Sequence, residues 1–184
     1  MTIKSIVATT GLTVLALSAG ALALGATKHQ INERVNATLA QFDSFNTANK
    51  TLGNKAVGVL IFPRVTKAGV GVGGEFGEGA LQVNGKTVGY YSVGSASVGL
   101  TLGLAEHSEI IMFMTQSSLD KFTAAQGWSI GADAGITVVS GGADGTINTE
   151  TDHKPILGFV FAEKGLIGDL SLEGSKITHI KTGG

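Results

Sequence analysis

Apolar residues change their spacing near residue 53, and that change divides the chain. From 27 to 52, Ile31, Val35, Leu39, Phe42 and Phe45 recur at intervals of three and four. This puts them on one stripe of an α-helix. Glu33, Arg34, Asn36, Gln41 and Asp43 occupy the other side. Thr27 and Gln30 have the spacing of a capping box, in which two side chains and two backbone N–H groups satisfy one another at a helix start. Gly53 is the expected stop. The polar side is mixed in charge rather than rich in Lys and Arg. That predicts a helix docked on the chain's own core more than one lying on a membrane.

After Gly53 the pattern alternates. Ala56–Phe62 is an almost unbroken apolar run, which predicts a strand buried on both faces and ended by Pro63. Gly69–Gly79, GVGVGGEFGEG, reads as strand or bulge. Asn84-Gly85-Lys86 lies between the alternating runs Leu81–Val83 and Thr87–Tyr91. Asn-Gly tolerates positive φ and predicts a tight hairpin. Val98, Leu100, Leu102 and Leu104 alternate with Ser97, Gly99, Thr101 and Gly103, and Ser108–Thr115 is a further buried strand. A short helix is expected over Ser118–Ala125, with Ser117 as N-cap, Asp120 three residues on, Leu119 and Phe122 facing inward and Gly127 as its stop. Strands resume over Ile130–Val138, Gly141-Gly142 turns the chain, and Ile156–Phe161, Leu166–Leu172 and Lys176–Ile180 complete the set.

The expected fold is therefore α+β: a curled antiparallel β-sheet or barrel-like sheet, with an N-terminal amphipathic helix and one short inserted helix. Residues 27–53 supply the helical segment and 54–184 the β-rich domain, together one folded unit. Twenty-eight of the 184 residues are Gly, about twice the usual share. Glycine inside strands weakens pairing, so this many require sharp coiling, bulges, or close approach of a ligand or another backbone.

Residues 1–26 have a different character. Lys4 is their only charged side chain, and Ile6–Ala26 is apolar and small. This is the layout of a secretory signal peptide, with cleavage expected after Ala23 or Ala26; an uncleaved anchor is the alternative. Leu17-Ser18-Ala19 opens a lipobox, but Gly20 stands where the lipidated Cys belongs. Anchoring through Cys is therefore excluded. The expected location is exported, in the periplasm or envelope, or secreted.

Composition narrows the chemistry. The net charge is −1 and charged residues are 15% of the chain, which excludes a generally basic nucleic-acid binder. With no Cys, a disulfide framework, an iron–sulfur cluster and a thiolate zinc site are excluded. Gly69–Gly74 satisfies G-x-G-x-x-G, but no helix start follows to receive a pyrophosphate. Gly127–Gly131 satisfies G-x-S-x-G, but the expected helix precedes Ser129 and the strand follows, the reverse of a nucleophile elbow. His29, His107, His153 and His179 are widely separated. Glu106-His107 and Asp152-His153 read as surface turn residues, and Glu75 and Glu78 as solvated acids. Asn36 and Asn49 begin sequons that look accidental. The residues thus name no catalytic group, no metal ligand and no cofactor.

From about Lys55 to Ile180 the chain resembles the SYLF domain family. The stretches that carry the resemblance, in order, are AVGVLIFPRVTK (56–67), AGVGVGGEFGEG (68–79), ALQVNGKTVGYY (80–91), EIIMFMT (109–115), LDKF (119–122) and GFVFAEKGLIGDLSLEGSKIT (158–178). The resemblance implies lipid binding without catalysis. Eukaryotic members bind phosphoinositides and some regulate actin. Bacterial relatives are exported, often as lipoproteins. These 184 residues hold no SH3 or FYVE partner, so an actin role does not carry over. In a bacterial envelope the ligand would be another phospholipid.

For such a ligand the candidate aromatic surface is Phe62, Phe76, Tyr90, Tyr91, Trp128, Phe159 and Phe161. The candidate phosphate contacts are Lys55, Arg64 and Lys67. One charge-assisted contact contributes about 1.5–3 kcal/mol and each buried acyl CH₂ about 0.8 kcal/mol, so chain burial would dominate affinity. The expected partner is a phospholipid or membrane surface; no protein partner is indicated. The rival readings are a small outer-membrane β-barrel, a structural interaction domain of the envelope, and a hydrolase using Ser129.

Overall fold

A computed structural model describes residues 26–139, 153–163, 165–167 and 172–182; side chains are described for these except at 70–71 and 97–104. The expected signal segment, apart from Ala26, and the Gly141-Gly142 turn lie outside the described residues. The elements are α1 (Lys28–Phe45), α2 (Thr47–Lys55), β1 (Gly58–Val83), β2 (Lys86–Phe113), α3 (Gln116–Ala124), β3 (Gly127–Ser129), β4 (Thr137–Val138), β5 (Ile156–Ala162), β6 (Gly165–Leu166) and β7 (Lys176–His179). The fold is α+β, as expected.

The N-terminal segment is two helices rather than one. Thr27 caps α1 and both arms of the capping box form. Asn46 then breaks the helix: its backbone is extended, and its side chain accepts from the Asn49 N–H at 2.9 Å to cap α2. Asn49 in turn donates to the Phe42 carbonyl left open at the end of α1. Asn49 is buried, so its sequon offers no accessible side chain. Gly53 lies inside α2, which runs on to Lys55. Ile31, Val35 and Phe42 are buried as the stripe requires, each contributing about 1.5–3 kcal/mol.

The sheet departs from the expected series of short strands. β1 and β2 are 26 and 28 residues long and pair along their lengths as one antiparallel hairpin. The two-residue turn Asn84-Gly85 joins them, both residues at positive φ. Pro63 does not end the first strand. It sits in the register shift between Phe62 and Val65, where a residue without an N–H costs no ladder bond. A straight strand of 26 residues would reach about 85 Å, yet a compact chain of this size has a radius of gyration of about 16 Å. The ribbon must therefore curl back, and a second register shift, between Val70 and Val72, lies at its middle.

Curling brings the two ends of β1 together, and glycine makes this possible. A Cβ on Gly77 would lie 2.8 Å from the Arg64 carbonyl oxygen. One on Gly79 would collide with the Ile61 carbonyl oxygen and lie 2.7 Å from the Phe62 ring. Close approach of another backbone, one of the reasons expected for the glycines, operates here.

The rest of the sheet is built on β2. Its first part pairs with β7 (Tyr91 opposite His179), its last part with β5 (Phe113 opposite Ile156). β3 adds to β7 and β6 to β5; β4 joins β5 in the one parallel pairing among the described strands. Side chains alternate between two cores. Leu60, Phe62, Ile111 and Phe113 face a cluster with Leu119 and Phe122 of α3, Trp128 and Ile177. Val59, Ile61, Ile110 and Met112 face a cluster with α1, α2, Phe159 and Phe161. The first strand is thus buried on both faces, as its apolar run predicts. Over 59–62 and 110–113 both faces of the hairpin are covered, so this stretch offers no face to lipid.

Three smaller expectations are corrected. The N-cap of α3 is Thr115, not Ser117; its hydroxyl accepts from the Ser118 N–H. The alternating run 130–138 is mostly turn: Gly131 has φ 93°, and the Asp133 carboxylate and N–H close on the Ser129 backbone. Only Thr137–Val138 remains as strand. Of the expected strand 166–172, only its start, in β6, is described as strand; residues 168–171 lie outside the described residues.

Candidate functional site

The curl creates a corner where the start of β1, its returning end and α1 meet. A hollow of about 160 Å³ opens there, lined among others by Ile31, Arg34, Pro63, Arg64, Phe76 and Glu78. Phe76 is 57% exposed, and Val72 on the same strand 69%. Among the described residues the large apolar side chains this exposed are Val72, Phe76 and Val88, and two of the three stand on this curled segment, as a contact surface requires. Arg64 pairs with Glu106 at 3.5 Å, but both side chains are about half exposed. Such a pair is worth about 0–1 kcal/mol, so the guanidinium can exchange Glu106 for another anion. A wider groove of about 640 Å³ shares Pro63 and Arg64 and continues past Gln41, Ser108 and Glu163.

The ten residues expected to contact lipid separate into three groups. Arg64 and Phe76 line the hollow, and Lys67 stands on the same curled segment. Lys67 points to Glu75, with Nζ 2.9 Å from Oε1. Phe62, Tyr91 and Trp128 are buried in the α3-side core, and Phe159 and Phe161 in the α1-side core. Four of these five pack on other rings: Phe42 lies 4.8 Å from Phe159 and 5.5 Å from Phe161, and Phe122 lies 5.0 Å from Tyr91 and 5.3 Å from Trp128. Burial pushes the Tyr91 phenol above its ordinary pKa. Tyr90 is half-buried and its hydroxyl accepts from Asn32. Lys55 closes α2, away from the hollow's lining.

Sequence reasoning missed a polar cluster on the α3 side of the sheet. His107 and Glu109 are read from the sequence as a surface turn residue and part of a buried strand. In the structure both are buried in β2, on the same side as Ile111 and Phe113, and His107 Nε2 is 2.9 Å from Glu109 Oε1. Glu75, from the returning part of the hairpin, reaches the same place. It also pairs with Lys67 and accepts from the Ser95 hydroxyl at 3.3 Å. Glu75 is therefore a mostly buried, partnered carboxylate rather than a solvated acid. Glu78 is partnered too, accepting from the Ala26 N–H at 3.0 Å. The usable signal was the spacing of His107 and Glu109: residues two apart in a strand share a face.

Ser129, by contrast, lies in β3 directly after α3, the order opposite to a nucleophile elbow.

Comparison with known families gives a match. The family Ysc84, described as "Las17-binding protein actin regulator", matches residues 94–182. Residues 94–182 are a Ysc84/SYLF domain. The SYLF family is linked to lipid binding. No curated protein matches the chain. The matched span of the Ysc84/SYLF domain holds most of β2, α3 and every later strand. It includes His107, Glu109, Trp128, Phe159 and Phe161. Arg64, Lys67, Glu75, Phe76, Tyr90 and Tyr91 precede it, although they belong to the same folded hairpin.

Proposed function

We propose that this chain is an exported, non-enzymatic phospholipid-binding protein of the bacterial envelope, and that it meets lipid at the Arg34–Arg64–Phe76 corner. The observation that carries the reading is the exposed Phe76, which lines the same hollow as two arginines. An apolar ring and cations in one place match the two parts of a phospholipid. The ring enters acyl chains while a guanidinium takes the phosphate in a charge-assisted pair. The family's link to lipid binding supports the ligand class. The apolar segment 1–26 supports export. Ala26 donates its N–H to Glu78 and packs on the α1-side core, which favours cleavage after Ala23 over loss of Ala26.

Mass spectrometry of native protein from its host envelope tests this reading. The expected result is a mature chain beginning at Leu24, with phospholipid retained under native spray. An intact 184-residue chain recovered from the cytosolic fraction without lipid would reject it.

A further inference from the structure

We propose that Glu75, His107 and Glu109 form a binding site for a first-row divalent cation, Zn²⁺ above all, and that the cation clasps the curled hairpin. The inference is independent of the lipid reading.

Each of the three side chains offers one donor atom, and these atoms lie within 4.8 Å of one another. The nitrogen of His107 and one oxygen of Glu109 are 2.9 Å apart. Two ligands of a tetrahedral cation with bonds of about 2.0–2.1 Å stand about 3.3 Å apart, so this pair is nearly placed. Glu75 supplies the third donor within the same 4.8 Å, and would exchange its contact with Lys67 or Ser95 to do so.

The second observation is an orphan. The Glu109 side chain is 1% exposed. Its other oxygen, Oε2, is buried without a hydrogen-bond partner, the only carboxylate oxygen in that condition among the described residues. A buried carboxylate oxygen demands a hydrogen-bond donor or a cation. His107 meets only Oε1, and the Lys67 ammonium is on Glu75, so neither serves Oε2. A divalent cation bridging Glu109, His107 and Glu75 would satisfy the orphan and both charges at once. One imidazole and two carboxylates suit Zn²⁺, with a fourth position left for water or the Ser95 hydroxyl.

The site also joins parts of the chain that only the curl brings together. His107 and Glu109 stand where β2 pairs with the first part of β1; Glu75 pairs with Ser95 on the returning part of the hairpin. A cation there holds the returning part against the first. Lys67 is a built-in competitor. Its side chain is 27% exposed, so it can release Glu75 to the metal and turn to water.

The test uses the full chain, freed of metal by chelator and titrated calorimetrically with ZnCl₂ alone. One equivalent is expected to bind. Glu75→Gln should weaken binding at least tenfold while the far-ultraviolet spectrum stays unchanged. Lys67→Gln should tighten it several-fold by removing the competing cation, a gain that a merely structural role for Lys67 would not produce. Co²⁺ in place of Zn²⁺ should give the visible absorption of a four-coordinate nitrogen–oxygen site, lost in Glu75→Gln. Absence of saturable binding, or binding indifferent to both substitutions, overturns the proposal.

Discussion

Replacing Gly79 by Ala tests whether the hairpin curls as described. Gly79 has no positive φ, so alanine is conformationally welcome and only the space is at issue. Its Cβ would meet the Ile61 carbonyl oxygen, the Ile61 carbonyl carbon at 2.8 Å and the Phe62 ring at 2.7 Å. The first two are backbone and cannot rotate away, and Phe62 is fully buried. Inserting a methyl into a packed site costs about 1–3 kcal/mol; with a rigid obstacle the upper end applies, about 3 kcal/mol. At about 2–4 °C per kcal/mol for a domain of this size, the melting temperature should fall by about 6–12 °C. Gly53→Ala is the internal control. That glycine is inside α2, and its Cβ would touch only Met112 Cε, at 3.8 Å. The exchange should stabilise by about 0.5–1 kcal/mol. Thermal and urea unfolding of both variants against the parent decide the matter. A Gly79→Ala protein as stable as the parent would mean that the two ends of β1 do not meet.

Other consequences can be measured alongside. Gly85→Ala places a side chain at φ 72° and should cost about 1 kcal/mol or more, read as a lower urea midpoint with an unchanged slope. Thr27→Ala removes the cap of α1 and should cost about 0.5–2 kcal/mol, with faster amide exchange confined to the first turn of that helix. Burial raises the Tyr91 phenol in the folded state. Its contribution is therefore complete below the unfolded pKa of 10.0 and is lost as pH rises through the higher folded value. Stability should decline above about pH 10, and Tyr91→Phe should flatten that decline in unfolding curves taken from pH 8 to 11.5.

Local features were the most legible in the sequence. The Thr27–Gln30 box and the Asn84-Gly85 turn work through neighbours a few residues away, so their residue types suffice. The stripe Ile31–Val35–Phe42 and the run Val59–Phe62 were legible because burial follows period. What escaped depends on register. Pro63 reads as a stop until a bulge is there to absorb it. Asn46 reads as a polar helix residue until its side chain caps the next helix. The glycines announced a tight fold, but only the pairing of β1 with β2 shows that Gly77 and Gly79 lie against Arg64 and Ile61. The same fold-back joins Glu75 to His107 and Glu109, which stand more than thirty positions away. It also exposes Phe76 beside Arg64 while placing Phe62, Tyr91, Trp128, Phe159 and Phe161 in the interior, a division that aromatic content alone could not reveal.

Co-sedimentation with phospholipid vesicles, with and without an anionic component, tests the lipid reading most directly. The full chain should bind vesicles containing anionic phospholipid. Phe76→Ser should remove about 1.5–3 kcal/mol of apolar contact, a weakening of about 10- to 150-fold. Arg34→Gln with Arg64→Gln should remove about 1 kcal/mol per cation and most of the salt dependence. Vesicle binding unaffected by all three changes, or absent from the parent protein, would contradict the account.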